Sequence, residues 1–361
     1  MSYEETLMRR ALELARQGWG QTAPNPMVGA VVVRNGRIVA EGFHARYGEP
    51  HAEANALRVA GELARGATLY VTLEPCRHHG KTPPCTEVIL DSGAERVVIA
   101  TLDPTDVAGG GAKMLREVGL LDVEIGLLEA EARELNAPFF HAATSDLPWT
   151  TLKLAVSIET AISSDRGTTS WLTGAESRAE VHRMRAGNDA IAVGVGTILA
   201  DDSQLTVREG RAPRKRPVRV VFDRSLRTPL HSNVVTTARQ APTIIMARDT
   251  SSRTADSMRD AGVHVIAASD MREGFRRLRA AGITSLMVEG GATIARTVLA
   301  DGLVDRLVIF QAPVALGPNA LHAFDGAPPK VLAALENYPV LERRQLGPDV
   351  MTAFAVSQGK S

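Results

Sequence analysis

Short apolar runs alternate with longer segments of helical spacing along almost the whole chain, and this alternation is what most constrains the fold. Within residues 67–103, ATLYVTLEP reads as a strand, TEVILDSG as a helix stopped at Gly93, and ERVVIATLD as another strand. Strands separated by helices cannot pair as tight hairpins; they line up in parallel with the helices covering their faces. Ahead of them, VGAVVVRNGRIVAEGFHA (28–45) sets two apolar runs around Asn35-Gly36, a strong hairpin signal. HAEANALRVAGELARG (51–66) reads as a helix ending at Gly66. At the N-terminus, Ser2 and Glu5 have capping-box spacing, and Leu7, Met8, Ala11, Leu12 and Ala15 form an apolar helical stripe.

The rhythm breaks at HAATSDLPWT (141–150), rich in small and turn residues, so two α/β domains are expected, 1–145 and 146–361. In the second, TTLKLAVSI, DAIAVGV, VRVVFD, PTIIMA, VHVIAA, SLMVEG and DRLVIFQAP are strand candidates. AESRAEVHRMRAG, TADSMRDAG, MREGFRRLRAAG and GATIARTVLADG are helices between them, several stopping at glycine. REGRAPRKRP (208–217) reads as an exposed basic loop.

Composition narrows the function classes. Lysine plus arginine (41) balances aspartate plus glutamate (41), whereas a general nucleic-acid binder carries a basic excess. The run AIAVGVGTILA (190–200) is too short to span a bilayer. MSYEETLMRR lacks the pattern of a signal peptide, and two cysteines cannot staple a secreted fold. The expectation is a soluble cytoplasmic protein without nucleic-acid or membrane partners.

Both cysteines, Cys76 and Cys85, fall in one turn-rich stretch, LEPCRHHGKTPPC (73–85). A disulfide is one reading, although a cytosolic protein keeps it reduced; two unrelated buried thiols are another. His51-Ala52-Glu53 upstream argues for a metal. One imidazole and two thiolates give three soft ligands and leave a fourth position for water. Cys85 opens a helix after Pro83-Pro84, where the helix N-terminus favours a thiolate. Zinc lowers the pKa of its water to about 7, and Glu53 lies two residues beyond His51, within reach to take that proton and hand it to a leaving amine. The pattern partly matches H-x-E … P-C-x-x-C of zinc base deaminases, with eight residues between the cysteines instead of two. A closed structural zinc site would instead enlist His78 or His79 and leave Glu53 without a role.

PNPMVGAVVV (24–33), HAEANAL (51–57), VTLEPCRHHGKTPPC (71–85) and DPTDVAGGGA (103–112) resemble the deaminase half of the bifunctional riboflavin-biosynthesis deaminase/reductase family. TLKLAVS, SWLTG, HRMRAGNDAIAVGVGTILADD, LTVR, VEGGAT, LVDRLVIFQAPVALG and GPDV resemble its reductase half, so the likeness spans roughly residues 3–356. The resemblance implies a cytidine-deaminase-like α/β/α domain followed by a dihydrofolate-reductase-like α/β domain. It implies zinc-dependent loss of the 2-amino group from 2,5-diamino-6-ribosylamino-4(3H)-pyrimidinone 5′-phosphate, then NADPH-dependent reduction of the ribosyl group to ribityl. His51, Cys76 and Cys85 match the family's zinc ligands and Glu53 its proton shuttle; Asn25, His44, Lys81 and Asp103 match residues that hold pyrimidine and ribose phosphate.

In the second half no G-x-G-x-x-G opens a helix after a strand, since Gly194-Val195-Gly196 runs into Thr197-Ile198-Leu199. Gly290-Gly291 after SLMVE fits a strand-to-helix turn with free N–H groups. By resemblance, Ala155, Trp171, Thr197, Asp201 and a turn of Gly291, Ala292, Thr293, Ile294, Ala295, Arg296 and Thr297 contact NADPH. Thr169, Arg185, Leu205, Arg208 and Glu289 contact the ribose-phosphate substrate, the arginines as bidentate phosphate ligands. Lys153 and Glu289 are candidates for the catalytic acid.

The chain departs from the family pattern in four places. DPTD stands where D-P-N-P is usual, Arg77 replaces a small residue, and DDS at 201–203 replaces D-D-P. Ser157-Ile158-Glu159-Thr160-Ala161 lacks the glycine of the family's S-x-D-G, which matters if that backbone needs positive φ. The resemblance also implies a homo-oligomer, dimer or tetramer. Rival readings are a deaminase with an impaired reductase-like half, a nucleic-acid-editing deaminase with a basic groove, and a non-enzymatic zinc module.

Overall fold

The capping box at Ser2 forms as its spacing requires: Ser2 Oγ accepts from Glu5 N–H and Glu5 Oε2 accepts from Ser2 N–H, both at 3.1 Å. In the computed structural model, which describes residues 2–80, 82–164 and 172–356, this box starts the first of two units, Met1–Thr144 and Ser145–Ser361. No helix among the described residues is long and apolar enough to cross a membrane.

In the first unit α1 (Tyr3–Arg16) precedes a hairpin of β1 (Gly29–Arg34) and β2 (Arg37–Phe43). Asn35 at φ 51 and Gly36 at φ 67 make its turn, the left-handed pair a two-residue hairpin needs. Then come α2 (Ala52–Ala60), β3 (Thr68–Val71), α3 (Cys85–Ser92), β4 (Arg96–Ile99), α4 (Gly111–Val118), β5 (Asp122–Ile125), α5 (Glu129–Leu135) and α6 (Ala137–Ala142). The helix expected over 51–66 is shorter: Gly61, at φ 52, caps α2, and Gly61–Ala64 tightens into a 3₁₀ turn. The sheet runs β2-β1-β3-β4-β5, antiparallel at β2-β1-β3 and parallel through β3-β4-β5.

Alternation explains why these strands read as continuous apolar runs. Val31 and Val33 of β1 face Leu7, Met8, Ala11 and Leu12 of α1, while Ala30 and Val32 face Ala52, Ala56 and Leu57 of α2. Both faces are covered, so both sets are apolar. Gly42 lets β2 press onto α2, because a Cβ there would meet Ala56 N at 2.5 Å. That contact fixes the N-terminus of α2, and with it His51 and Glu53, above the sheet.

The second unit opens with β6 (Trp149–Val156), β7 (Ala161–Ser163), α7 (Ala175–Ala186), β8 (Ala190–Gly194), α8 (Val195–Asp201) and β9 (Val218–Phe222). It continues with α9 (Asn233–Thr236), β10 (Thr243–Ala247), α10 (Arg253–Asp260), β11 (His264–Ala267), α11 (Met271–Ala280), β12 (Ser285–Glu289), α12 (Ala292–Ala300) and β13 (Arg306–Gln311). Last are β14 (Leu321–His322), α13 (Pro329–Leu335), β15 (Val340–Leu346) and β16 (Asp349–Ala355). The nine-stranded sheet is ordered β11-β10-β9-β8-β12-β6-β13-β16-β15, parallel from β11 to β13 and antiparallel over the last two pairs. The β15–β16 hairpin escapes a hydrophobic-period reading because β15 is an exposed edge carrying Glu342, Arg343 and Arg344, the charged composition that keeps an edge from pairing with other chains.

Candidate active sites

In the first unit three donor groups converge. His51 is the N-cap of α2, Cys76 follows β3, and Cys85 is the first residue of α3. His51 Nδ1 lies 3.3 Å from Cys85 Sγ and 3.6 Å from Cys76 Sγ, and one ligand atom from each of the three falls within 4.8 Å of the others. The free N–H of Cys85 at the start of α3 donates to Cys76 Sγ at 3.4 Å, so the helix terminus favours charge on that sulfur. The hydrogen bond from Cys85 holds Cys76 down at about 4, and the same pairing pushes Cys85 up. His51 is raised, chiefly by its hydrogen bond to Cys76. One imidazole and two thiols, each offering a single atom to one point, fit a three-ligand zinc site.

Glu53 stands one turn into the site, 3% exposed, and burial pushes its carboxyl up. Its Oε2 has no hydrogen-bond partner, an arrangement that awaits a proton or a ligand. The cavity it faces measures about 450 Å³ and is lined also by Asn25, His44, His51, Cys76 and Asp103, a size suited to a small organic ligand. His44 Nδ1 donates to Pro50 O at 3.3 Å, so its Nε2 accepts from Asn25 Nδ2 at 3.4 Å. Burial lowers the His44 pKa, in keeping with a neutral ring. Lys81 lies outside the described residues.

Two residues that motif reasoning passed over hold this cavity together. Glu74 is buried and accepts three backbone N–H groups, from Asp103 (3.0 Å), Gly110 (3.1 Å) and Ala112 (2.8 Å). Asn136 clasps Met27 with both ends of its amide, each bond 2.8 Å, and so fixes the loop carrying Asn25. Glu74 had a signal, its place beside Pro75-Cys76; Asn136, 109 residues from Met27, had none.

In the second unit Lys153 on β6 and Glu289 at the end of β12 are neighbours in register. Glu289 also takes both arms of Arg185 from α7, at 2.5 and 2.9 Å. Burial pushes the Glu289 carboxyl up, but Arg185 outweighs it and the net shift is downward. Burial likewise lowers Lys153, against the pull of Glu289. The N-caps of α8 and α12 are Gly194 and Gly291, following adjacent strands β8 and β12, and no side chain caps either helix. Uncapped N–H groups at the mouth of a parallel sheet fit a phosphorylated cofactor.

The fork of Arg185 rests on Glu289, and both side chains are largely withdrawn from solvent. The Leu205 side chain is 3% exposed among Ile198, Val221 and Val234, so it offers a ligand only backbone. Gly291–Thr297 is not a turn: Gly291 caps α12, and Thr297 Oγ1 donates to Thr293 O inside the helix. Ala155 lies on β6, Thr197 and Asp201 on α8, and Arg208 on the loop beyond. Thr169 and Trp171 lie outside the described residues.

Residues 148–351 match the model for the RibD C-terminal domain, and residues 1–101 match the cytidine and deoxycytidylate deaminase zinc-binding region. Riboflavin biosynthesis protein RibD of Aquifex aeolicus is 43% identical over 87% of this chain and 88% of its own length. That of Bacillus amyloliquefaciens is 40% identical over 99% and 97%. The chain belongs to the RibD family. Among solved structures, Acinetobacter baumannii RibD is 34% identical with a TM-score of 0.86, covering 99% of each chain. A Thermotoga maritima diaminohydroxyphosphoribosylaminopyrimidine deaminase/5-amino-6-(5-phosphoribosylamino)uracil reductase is 36% identical with a TM-score of 0.84, covering 98% of this chain and 99% of its own. The first unit is therefore a zinc-binding deaminase domain of cytidine-deaminase type, and the second a RibD reductase domain of dihydrofolate-reductase-like fold.

Against the usual RibD pattern, each departure has a local account except one. Thr105 donates its N–H (2.8 Å) and hydroxyl (2.5 Å) to Asp103 Oδ1, so it steadies that carboxylate instead of reading a base. Arg77 donates to Gly109 O at 2.5 Å and turns toward the 109–110 loop. Thr160 takes up the left-handed conformation itself, at φ 66. Nothing in the structure explains Ser203 beyond its hydrogen bond to Asp201.

Proposed function

We propose that residues 1–145 hydrolytically deaminate 2,5-diamino-6-ribosylamino-4(3H)-pyrimidinone 5′-phosphate and residues 146–361 reduce the product's ribosyl group to ribityl with NADPH, both in riboflavin synthesis. The observation that carries the first half is the convergence of His51, Cys76 and Cys85 beside the buried Glu53, whose Oε2 has no hydrogen-bond partner. Zinc held by those three side chains would supply activated water at neutral pH. Glu53 takes a proton at Oε2 and returns it to the departing amine, so that water is consumed and ammonia released. Burial raises the Glu53 carboxyl above the ordinary carboxylate range, which favours the protonated form that gives the proton to the departing amine. Asn25, oriented by His44, presents an amide to the pyrimidine edge, and Asp103, steadied by Glu74 and Thr105, faces the ribose.

In the second half NADPH would supply the hydride, with the amides at the starts of α8 and α12 receiving its phosphates. Lys153 Nζ, lowered by burial and set beside Glu289, is the group that delivers a proton to the reduced product. Arg208, whose Nη1 rests on Gln204 Oε1, is the exposed cation for the substrate phosphate. The balanced charge favours a small phosphorylated substrate over nucleic acid, and thiol metal ligands belong in a reducing cytoplasm. We also assign the protein to a homo-oligomer, on family resemblance.

The test is a zinc-loaded protein given the diaminopyrimidinone, with NADPH oxidation followed at 340 nm and deaminated product identified in parallel. Glu53→Gln should lose deamination by at least about a hundredfold yet still reduce substrate that has already been deaminated. Deamination by folded wild-type protein without NADPH oxidation would remove the reductase from this reading.

A further inference from the structure

Between α8 and β9 the chain runs through residues 202–208 without regular structure. Two of them stand in the left-handed region although neither is glycine: Asp202 at φ 42 and Leu205 at φ 52. An L-residue there is held at a cost of about 1–2 kcal/mol, so the surroundings must impose it. For a leucine the local chain offers no compensation at all; an aspartate at least tolerates the region.

The imposing groups are Asn233 and Arg219. Asn233 opens α9 and grips Asp202 three times: its N–H donates to Asp202 Oδ1 at 2.7 Å, and its Nδ2 donates to Asp202 Oδ2 at 2.8 Å and Asp202 O at 3.0 Å. Arg219 on β9 is 1% exposed, and among the described residues no carboxylate pairs with it. Its guanidinium instead gathers oxygens on either side of the loop: Gln204 O at 3.4 Å, Thr237 Oγ1 at 2.8 Å, Val234 O at 3.2 Å, Ala241 O at 2.8 Å and Thr243 Oγ1 at 2.7 Å. A buried cation is expensive to desolvate, and this one ties the carbonyl before Leu205 to the residues around α9. The Leu205 side chain locks into the same cluster as Val234 and Val235.

We propose that Asn233 and Arg219 are positioning residues of the reductase: they clamp residues 202–205 so that the Leu205 backbone and, three residues on, Arg208 face the phosphorylated substrate. The inference rests on the reductase reading above. It assigns a role to a short helix and a buried arginine that lie outside the expected ligand contacts, and it explains why strain is kept at 202 and 205 where glycine would remove it.

The experiment compares wild type, Asn233→Ala, Asp202→Ala and the double variant, with Arg219→Lys as a second probe of the clamp. Reductase kcat and KM are measured on already deaminated substrate, deamination is measured on the same preparations, and amide hydrogen exchange over 202–208 is followed in ligand-free protein. The proposal expects KM for the pyrimidine to rise about tenfold in Asn233→Ala with kcat within threefold, roughly the loss of one charge-assisted hydrogen bond. It expects deamination unchanged, exchange at 204–208 faster, and the double variant no worse than the single ones. A lowered melting temperature with reductase KM and loop exchange unchanged would make the clamp merely structural and overturn the proposal. Wild-type protein that deaminates but does not oxidise NADPH overturns the reductase reading, and this inference falls with it.

Discussion

Replacing Thr160 with glycine should stabilise the reductase unit without altering its activity. Thr160 sits at φ 66, where a β-branched residue is disfavoured by about 1–2 kcal/mol. The surrounding turn is over-determined. Ser157 Oγ accepts from Glu159 N–H and Ala161 N–H, both at 3.2 Å, and Leu316 N–H donates to Glu159 Oε2 at 2.7 Å. His322 Nδ1 donates to Glu159 O at 2.9 Å, and Ala323 N–H donates to Thr160 O at 2.9 Å. None of these bonds uses the Thr160 side chain, whose one partner among the described residues is His322 at 3.4 Å in an exposed position. Glycine would remove the strain, return roughly 0.5–1 kcal/mol through the greater entropy of its unfolded state, and forfeit little else. The balance favours Thr160→Gly by about 0.5 kcal/mol, a rise of roughly 1–2 °C in the melting temperature of a unit this size. Calorimetry on the NADPH-free protein reads it, with reductase kcat/KM expected within twofold of wild type. A fall of more than a degree would refute the reasoning, because it would mean that the threonine side chain, and not the bonded backbone around it, holds the turn.

Glu74→Gln should cut deaminase kcat/KM at least tenfold while zinc content and NADPH oxidation hold. The new amide points a donor at backbone N–H groups now served by carboxylate oxygens, each such bond being worth about 1.5–3 kcal/mol. Metal analysis beside both assays checks this. Glu180 gives an acid-range prediction. Burial pushes its carboxyl up, but Arg183 and Arg344 outweigh that and leave it below its ordinary value. A carboxyl lowered in the folded state stabilises above the unfolded pKa of about 4.3 and loses that contribution as pH falls below it. Glu180→Gln should therefore flatten the acid limb of stability against pH, as read by melting temperature from pH 6 down to 3. Chelation of zinc should abolish deamination, leave reduction of deaminated substrate intact, and be reversed by zinc alone.

How far the sequence carries depends on whether a residue's role is local. The hairpin at Asn35-Gly36, the Ser2 capping box and the helix opened by Cys85 all rest on contacts within a few residues, and composition displays those directly. The zinc ligands were legible because thiol and imidazole are scarce and chemically specific, so His51, Cys76 and Cys85 point to one another across 34 residues. Asn136, Arg219 and Asn233 carry no such mark. Each is an ordinary polar residue whose partners are backbone groups or common side-chain oxygens, and such groups look alike in every sequence. Arg185 likewise shows in the sequence only a charge, and its pairing with Glu289, 104 residues away, depends on the fold.

The missing glycine shows the limit most sharply. A family reading takes glycine in S-x-D-G as a requirement and its loss at Thr160 as damage. The requirement is on the dihedral angle, and a residue type is only one way to meet it. Here the angle is met by bonds from Ser157, Leu316, His322 and Ala323, three of which lie more than 150 residues away in sequence. At Leu205 the same substitution of context for residue type recurs, with α9 and Arg219 supplying the constraint. At both positions the reductase unit holds its backbone in place with contacts remote in sequence. Such a site tolerates a changed turn residue but not the loss of its remote anchors, which is why Thr160→Gly and Asn233→Ala are expected to move function in such unequal measure.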